Sequence, residues 1–369
     1  MAATRSRIHH GSRHSGLALC FVAGLCQAAA LPADRTEGAY STYSGGGVDV
    51  SSPAILVRKS VAQSWSFAGE YSADIISSAS IDVITTASPY DDRRDRLSLA
   101  GDYTINDTLI NVTAITASED DYDATHLDVH LWQDINGGTG TLHLGYGRGW
   151  EEKTRVDTDF RGDVDRHLYR VGVRQLVTPQ WIAQFDYEAI IDHGALANPY
   201  RSARVLGASV PERYPDTHAS HALRLQGLRR LSQHFGLQLG YRFYRDDWDI
   251  GGHTLEAALN QRIGDRLLAQ WRVQAYTQSD ASFYSDNFST ELNYMSRDKE
   301  LSQFTSYALG AKVSYELLKP GSQRNVNKGT VTVSYDYFDY DYDNFTDVRS
   351  GQLYAFDAYL LQLSFILWY

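Results

Sequence analysis

The sequence predicts an all-β chain folded as a transmembrane antiparallel up-and-down β-barrel of about sixteen strands. Three observations predict it. From Trp65 onward, segments of strict apolar/polar alternation recur between turn residues. Their connections alternate between short and long. The closing segment, residues 358–369, keeps the alternation to its last residue.

Before the first strand, residues 1–30 read as a signal peptide, leaving 31–369 as the barrel. Arg5, Arg7 and Arg13 form a positive n-region, residues 17–25 an apolar run, and Ala28, Ala29 and Ala30 a small-residue cleavage site. That run is too short to cross a bilayer as a helix, which takes ~20 residues, and no later run is long enough. Cys20 and Cys26 both fall inside this leader, preceded by Leu19 and Leu25 where lipid attachment wants a small residue. The processed chain then holds no thiol, which excludes cysteine catalysis, disulfides and thiolate metal sites. Cleavage removes three arginines and no acid, so the net charge moves from −11 to −14. An acidic chain lacks the basic footprint of a nucleic-acid partner. The 25 Tyr and 7 Trp suit a chain with many water–lipid boundaries, although a soluble β-sandwich with Tyr-rich loops shares that composition.

The first hairpin is read from residues 36–43, the glycines after Ser44, and residues 48–57, with a short connection at 58–64 leading to Trp65. Counting this hairpin gives about sixteen strands; without it the barrel has about fourteen, and residues 34–60 become a plug or a periplasmic segment. At Asn106-Asp107 a two-residue turn sets Tyr103 against Ile110, Gly101 against Val112 and Leu99 against Ala114. At Asn136-Gly137, the favoured type I′ pair sets Leu131 against Leu142 and Leu127 against Tyr146. On the opposite face it sets His130 against His143 and Asp128 against Gly145. The remaining short turns fall at Thr178-Pro179, 230–234 and Gly264-Asp265, with a longer one at 319–328. Longer polar loops fall at 77–93, 118–124, 151–165, 192–217, 246–252, 279–299 and 341–357. A soluble sandwich shares the periodicity but gives no reason for long loops at one end only. Leu363, Phe365, Leu367 and Tyr369 line one face of the last segment, as in the strand that the barrel-assembly machinery reads. A buried final strand of a soluble domain is the competing reading.

The stretch Tyr71-Ser72-Ala73-Asp74, then 78–83, 86–90 and Arg93-Arg94, together with 45–50, resembles a family of proteobacterial outer-membrane barrels known only as a domain of unknown function. The resemblance implies the fold and the compartment over nearly the whole processed chain. It implies no activity and no catalytic residues.

Alternation puts a dense set of ionisable groups on the face away from lipid. These are Glu70, Asp74, Arg96, Asp102, Asp128, Arg170, Arg174, Asp186, Glu188, Arg224, Arg242, Arg262, Arg272, Lys312 and Glu316. Such a lining makes a wet path for charged solutes, or else knits the interior shut with ion pairs. Acids come earlier in the chain and arginines dominate from Arg170 to Arg272, which suggests a transverse field. His126, Asp128, His130 and the facing His143 are the one metal-like constellation, with a polar lumen wall as the plainer reading. A hydrolase would draw on Ser220 with His218 or His221, or on Asp192 and His193. The acidic runs 119–123 and 339–343 resemble calcium loops only in charge, lacking the glycine and spaced glutamate.

The resulting expectation is a porin-like channel or transporter for small polar or charged solutes in the outer membrane of a Gram-negative bacterium. It needs no cofactor and is not an enzyme. Its partners are outer-membrane lipid and lipopolysaccharide, the barrel-assembly machinery and the solutes themselves. A sealed barrel that holds a periplasmic or surface component is the second reading, and a membrane-embedded hydrolase the third.

Overall fold

The computed structural model describes residues 30–77, 91–156, 158–318 and 326–369. Residues 1–29 of the leader, and most of the 77–93 loop, lie outside the described residues. The described chain is almost wholly β. Its strands are β1 (Arg35–Gly45), β2 (Val48–Ala62), β3 (Trp65–Ser77), β4 (Asp91–Ile105), β5 (Thr108–Glu119) and β6 (Tyr122–Ile135). Then come β7 (Gly140–Thr154), β8 (Arg161–Thr178), β9 (Trp181–Gly194), β10 (Ser202–Val205), β11 (Ala208–Pro211) and β12 (Thr217–Arg230). The rest are β13 (Phe235–Asp246), β14 (Gly251–Ile263), β15 (Leu267–Gln278), β16 (Phe304–Leu318), β17 (Lys328–Asp347) and β18 (Gln352–Trp368).

Sixteen of them form one closed barrel in chain order, and β10 and β11 make a separate hairpin in the connection between β9 and β12. Closure is antiparallel between β1 and β18, from Arg35 opposite Trp368 to Gly45 opposite Ala358. The fourteen-strand alternative is therefore wrong. Residues 34–60 are wall, because Gly46 and Gly47, both at positive φ, turn β1 tightly into β2. Closing the sheet satisfies every edge, which a chain facing hydrocarbon requires.

Successive side chains alternate across the wall. Leu97 and Leu99, Leu127 and Val129, Leu223 and Leu225, Trp271 and Val273, and Leu361, Leu363 and Phe365 stand exposed on the outer face. Aromatic residues bracket this apolar belt. Trp65 and Trp181 open strands at the short-turn end, while Tyr146, Tyr241 and Tyr337 sit nearer the long-loop end. A closed barrel with an apolar outer belt and two aromatic girdles is an outer-membrane architecture, and this chain is a bacterial outer-membrane protein.

The turn at Asn106-Asp107 has the expected register, with Tyr103 opposite Ile110 and Leu99 opposite Ala114. The one at Asn136 does not. Asn136, Gly137 and Gly138 all take positive φ and, with Thr139, make a longer loop containing a 3-10 turn. The strands are displaced by two residues, so Leu131 faces Leu144, His130 faces Gly145 and Trp132 faces His143. A shift of two keeps every side chain on its face, which is why apolar-to-apolar pairing failed to expose the error.

Two expected loops are mostly strand. The 118–124 loop is a tight turn at Asp120 and Asp121, and 341–357 is largely the paired ends of β17 and β18. In the second, Tyr340, Tyr342, Phe345 and Tyr354 pack together as a buried cluster and hold the strands beyond the belt. That packing turns Asp339 and Asp341 to the opposite, outer face of a strand, so this run is no calcium-type loop.

Candidate functional site

The site is the inner wall. Every ionisable residue that alternation assigned there lies on the face opposite the apolar belt. Many of them pair with a residue two strands away rather than with a neighbour. Arg170 on β8 reaches Asp128 on β6 at 3.7 Å and, beside it, Glu188 at 3.0 Å. His143 on β7 meets Asp186 on β9 at 3.2 Å. Arg224 on β12 meets Glu256 on β14 at 3.1 Å, and Arg272 on β15 pairs with Asp336 on β17. Nearer the short-turn end, Arg58 on β2 pairs with Asp102 on β4, which also accepts from Asn111 at 2.8 Å.

What permits this reach is the strand in between. Gly172 lies directly between His143 and Asp186, and Gly310 directly between Arg272 and Asp336. A Cβ at either position would collide with the pair above it. Gly147 and Gly240 serve similarly beneath Asp128 and Glu256, and Ser66 and Ala68 do so between Arg58 and Asp102. The pairs consequently lie flat along the wall.

The wall is nevertheless uneven in charge. From β6 to β9, Asp128, Glu151, Asp186, Glu188 and Asp192 outnumber Arg166, Arg170 and Arg174. From β12 to β16, Arg224, Arg230, Arg242, Arg262, Arg272 and Lys312 outnumber Asp246, Glu256 and Glu316. Among the described residues, Arg96, Arg174, Arg242, Arg262 and Lys312 have no carboxylate within ion-pair distance, nor do Glu70 and Glu316 have a cation. Asp74 accepts a hydrogen bond from Ser52 at 2.6 Å.

The metal-like constellation does not assemble. His130 stacks on Trp132 and lies 3.2 Å from Arg170, while His126 is 3.8 Å from Glu151. His143 belongs to Asp186, two residues out of register with His130. No group of three metal-binding side chains occurs among the described residues. Of the hydrolase candidates, His221 faces the other side of β12 from Ser220, whereas His218 shares the inward face with Ser220 but lies 3.0 Å from Asp246, with its ring 4.0 Å from that of Trp248. Asp192 faces inward, 2.6 Å from Arg166, and its neighbour His193 faces out. At the end of the chain, Leu363, Phe365 and Leu367 are on the outer face of β18, and the Tyr369 hydroxyl lies 3.3 Å from the Thr36 hydroxyl.

The outer mouth was not legible as a site. The connections 195–216 and 279–303 fold against each other, through a bridge between Val205 and Phe288 and another between Arg213 and Met295. Trp248, Phe283 and Tyr284 form a buried cluster packed on Tyr214, Leu301 and the inward-facing Tyr244. A buried polar knot pins the two connections. Glu212 accepts from the Arg297 amide at 2.7 Å and from Ser296 and Tyr214, each at 3.1 Å. Burial pushes the Glu212 carboxyl above its ordinary range, against the opposing influence of Arg201. Arg201 itself pairs with Asp298, and Arg297 packs 4.4 Å over the Phe345 ring. These loops pack against the long-loop ends of β13, through Tyr244, and of β17, where the Tyr284 hydroxyl donates to the Asn344 carbonyl at 2.9 Å.

With this geometry in view, a profile of the family described as Protein of unknown function (DUF3570) matches residues 146–359, from β7 into β18. The chain belongs to this family. The match covers the polar knot and the Arg170–Glu188, Arg224–Glu256 and Arg272–Asp336 pairs, whereas the 71–94 stretch that resembles the family lies ahead of it. No curated protein matches the chain. Among solved structures, a bacterial polysaccharide outer membrane secretin is similar with a TM-score of 0.53 at 8% identity, covering 91% of this chain and 98% of that one. The siderophore receptor PirA from Pseudomonas aeruginosa gives a TM-score of 0.47 at 11% identity over 85% of this chain. This family member spans 60% of that receptor's length. OccK1 (OpdK) from Pseudomonas aeruginosa gives 0.45 at 8% identity, covering 91% and 98% of the two chains. The secretin's likeness is one of fold.

Proposed function

We propose that the barrel is a porin-like channel for small polar or charged solutes and carries no catalytic activity. The observation that supports this reading is the exposure of the inner wall. The side chains of Arg224 and Glu256 face inward and form an ion pair, yet remain 40% and 36% exposed. Paired charges packed in a sealed interior would lose that contact, so a solvent-filled space lies in front of them. Barrels of sixteen strands are wide enough to hold such a channel. The flat pairing of the wall leaves the centre free, and the interlocked outer loops restrict the size of what enters. Neither a nucleophile held by a base nor a metal-ligand cluster is assembled among the described residues, which favours passage over hydrolysis.

The test is conductance of the purified full chain in planar lipid bilayers. Discrete, ohmic steps are expected. A protein that inserts and shows no steady open level would overturn the channel reading in favour of the sealed structural barrel. Unaltered hydrolysis of ester or peptide substrates in the Ser220→Ala variant, if any is seen, would separate contamination from activity.

A further inference from the structure

The outer face of the barrel carries a feature the channel does not use. At the long-loop edge of the belt, a tyrosine on a rising strand reaches diagonally to a histidine on the next falling strand in three successive hairpins. The Tyr146 hydroxyl lies 2.9 Å from His167 Nδ1, Tyr187 lies 2.8 Å from His221 Nδ1, and Tyr241 lies 2.8 Å from His253 Nδ1. All these side chains point outward. In each case the bond occupies Nδ1 and leaves Nε2 directed away from the tyrosine. When the phenol donates, the imidazole carries its proton on Nε2 and presents an N–H.

The three units are not equivalent. Beside His167, Arg148 is held bidentately by Asp165 at 2.7 and 3.2 Å, so its charge is spent. Beside His221 stands Arg245, its direct cross-strand partner. Directly opposed side chains have Cβ atoms about 5 Å apart. His253 lies diagonally across on β14, its ring 5.3 Å from that of Phe243. Among the described residues Arg245 has no carboxylate within ion-pair distance. His221, Arg245 and His253 thus form a triangle of one guanidinium and two imidazoles, open outward, with no acid on the outer faces of β12 to β14 inside it; Asp247, in the turn that follows Arg245, accepts from the Ala219 amide at 3.0 Å. Its height follows from the strands. Below it run Phe243, Tyr241, Leu239 and Leu255, all belt residues, so the triangle is the first polar level above hydrocarbon.

We propose that His221, Arg245 and His253 bind a phosphate of a phosphorylated lipid in the outer leaflet. A guanidinium and two imidazole N–H groups match a phosphate's oxygens in charge and in donor number, and a lipid whose chains lie on the belt brings its headgroup to this level. Phe243 and Tyr241 support the first segment of its acyl chains. This site is independent of what the lumen conducts.

Native mass spectrometry of the detergent-solubilised full chain would test it, with diphosphorylated lipid A, the same lipid after dephosphorylation, and inorganic phosphate as probes. One phosphorylated lipid is expected to be retained, with the dephosphorylated form bound roughly tenfold more weakly. Arg245→Gln should reduce retention by a similar factor, and His221→Gln with His253→Gln by less, while His234→Gln at a short turn leaves it unchanged. Heat-modifiable migration on gels verifies that each variant is a folded barrel. Equal retention of both lipid forms, or full retention by folded Arg245→Gln, would overturn the assignment. So would inorganic phosphate competing at equal concentration, which would make the ligand a free anion.

Discussion

At the scale of single residues, the inner wall depends on what is missing. Gly172 and Gly310 matter because their lack of a Cβ lets His143 and Asp186, and Arg272 and Asp336, close over them. Gly310→Ala should therefore push Arg272 off Asp336 without touching the belt. A destabilisation of about 1–3 kcal/mol is expected from overpacking, read as a lower denaturant midpoint for the reconstituted barrel. An unchanged midpoint would mean that the pair relocates at no cost. The charges themselves were legible from alternation alone, since period two assigns each to a face. Their partners were not, because a pairing that skips a strand depends on the size of the residue skipped. The histidine constellation was misread for a smaller reason. Gly138 lengthens the loop at Asn136, and two residues of slip part His130 from His143.

Elements behaved unequally. Strands with clean alternation, such as β4, β5 and β16, could be drawn from the sequence within a few residues. The ends of β17 and β18 read as loop in the sequence because Asp339, Asp341 and Asp343 have the pattern of a solvated tip, although the tyrosines between them face inward and pack. In the connections 195–216 and 279–303, Phe288 and Met295 had no periodic context, and only the fold shows them buried against Ala203. The knot joining these connections should respond to pH. Glu212 has its folded-state carboxyl raised by burial, so docking is fully favoured below the ordinary value of 4.5 and weakens as pH rises through the folded value. Limited proteolysis of 195–216 and 279–303 is expected to quicken as the pH is raised from 4.5 towards neutrality. Glu212→Gln should flatten that dependence; a wild-type rate that does not vary with pH would contradict it.

For the whole molecule, parity was the decisive inference from sequence. Counting 36–43 and 48–57 as a hairpin gave an even, closed barrel, and β1 and β2 complete it. The lumen's charge follows from that closure, because the acid-rich strands β6 to β9 adjoin the basic strands β12 to β16 where β9 pairs with β12. Opposite excesses in adjoining sectors set a field along the wall that orients a dipolar solute while leaving little preference between simple ions. The wild-type reversal potential under a potassium chloride gradient should accordingly lie near zero. Arg242→Glu combined with Arg262→Glu should move it in the cation-selective direction. A strongly selective wild type, or a double variant with no shift, would remove the argument from charge placement.

The bonds that leap over a glycine bear on biogenesis too. A clasp between the first and third members of a trio cannot exist in an isolated hairpin, so a strand that carries one partner holds a lone charge until the strand two places on is delivered. Growth of the sheet would then lock in trios, with Arg272 uncompensated until β17 arrives to supply Asp336.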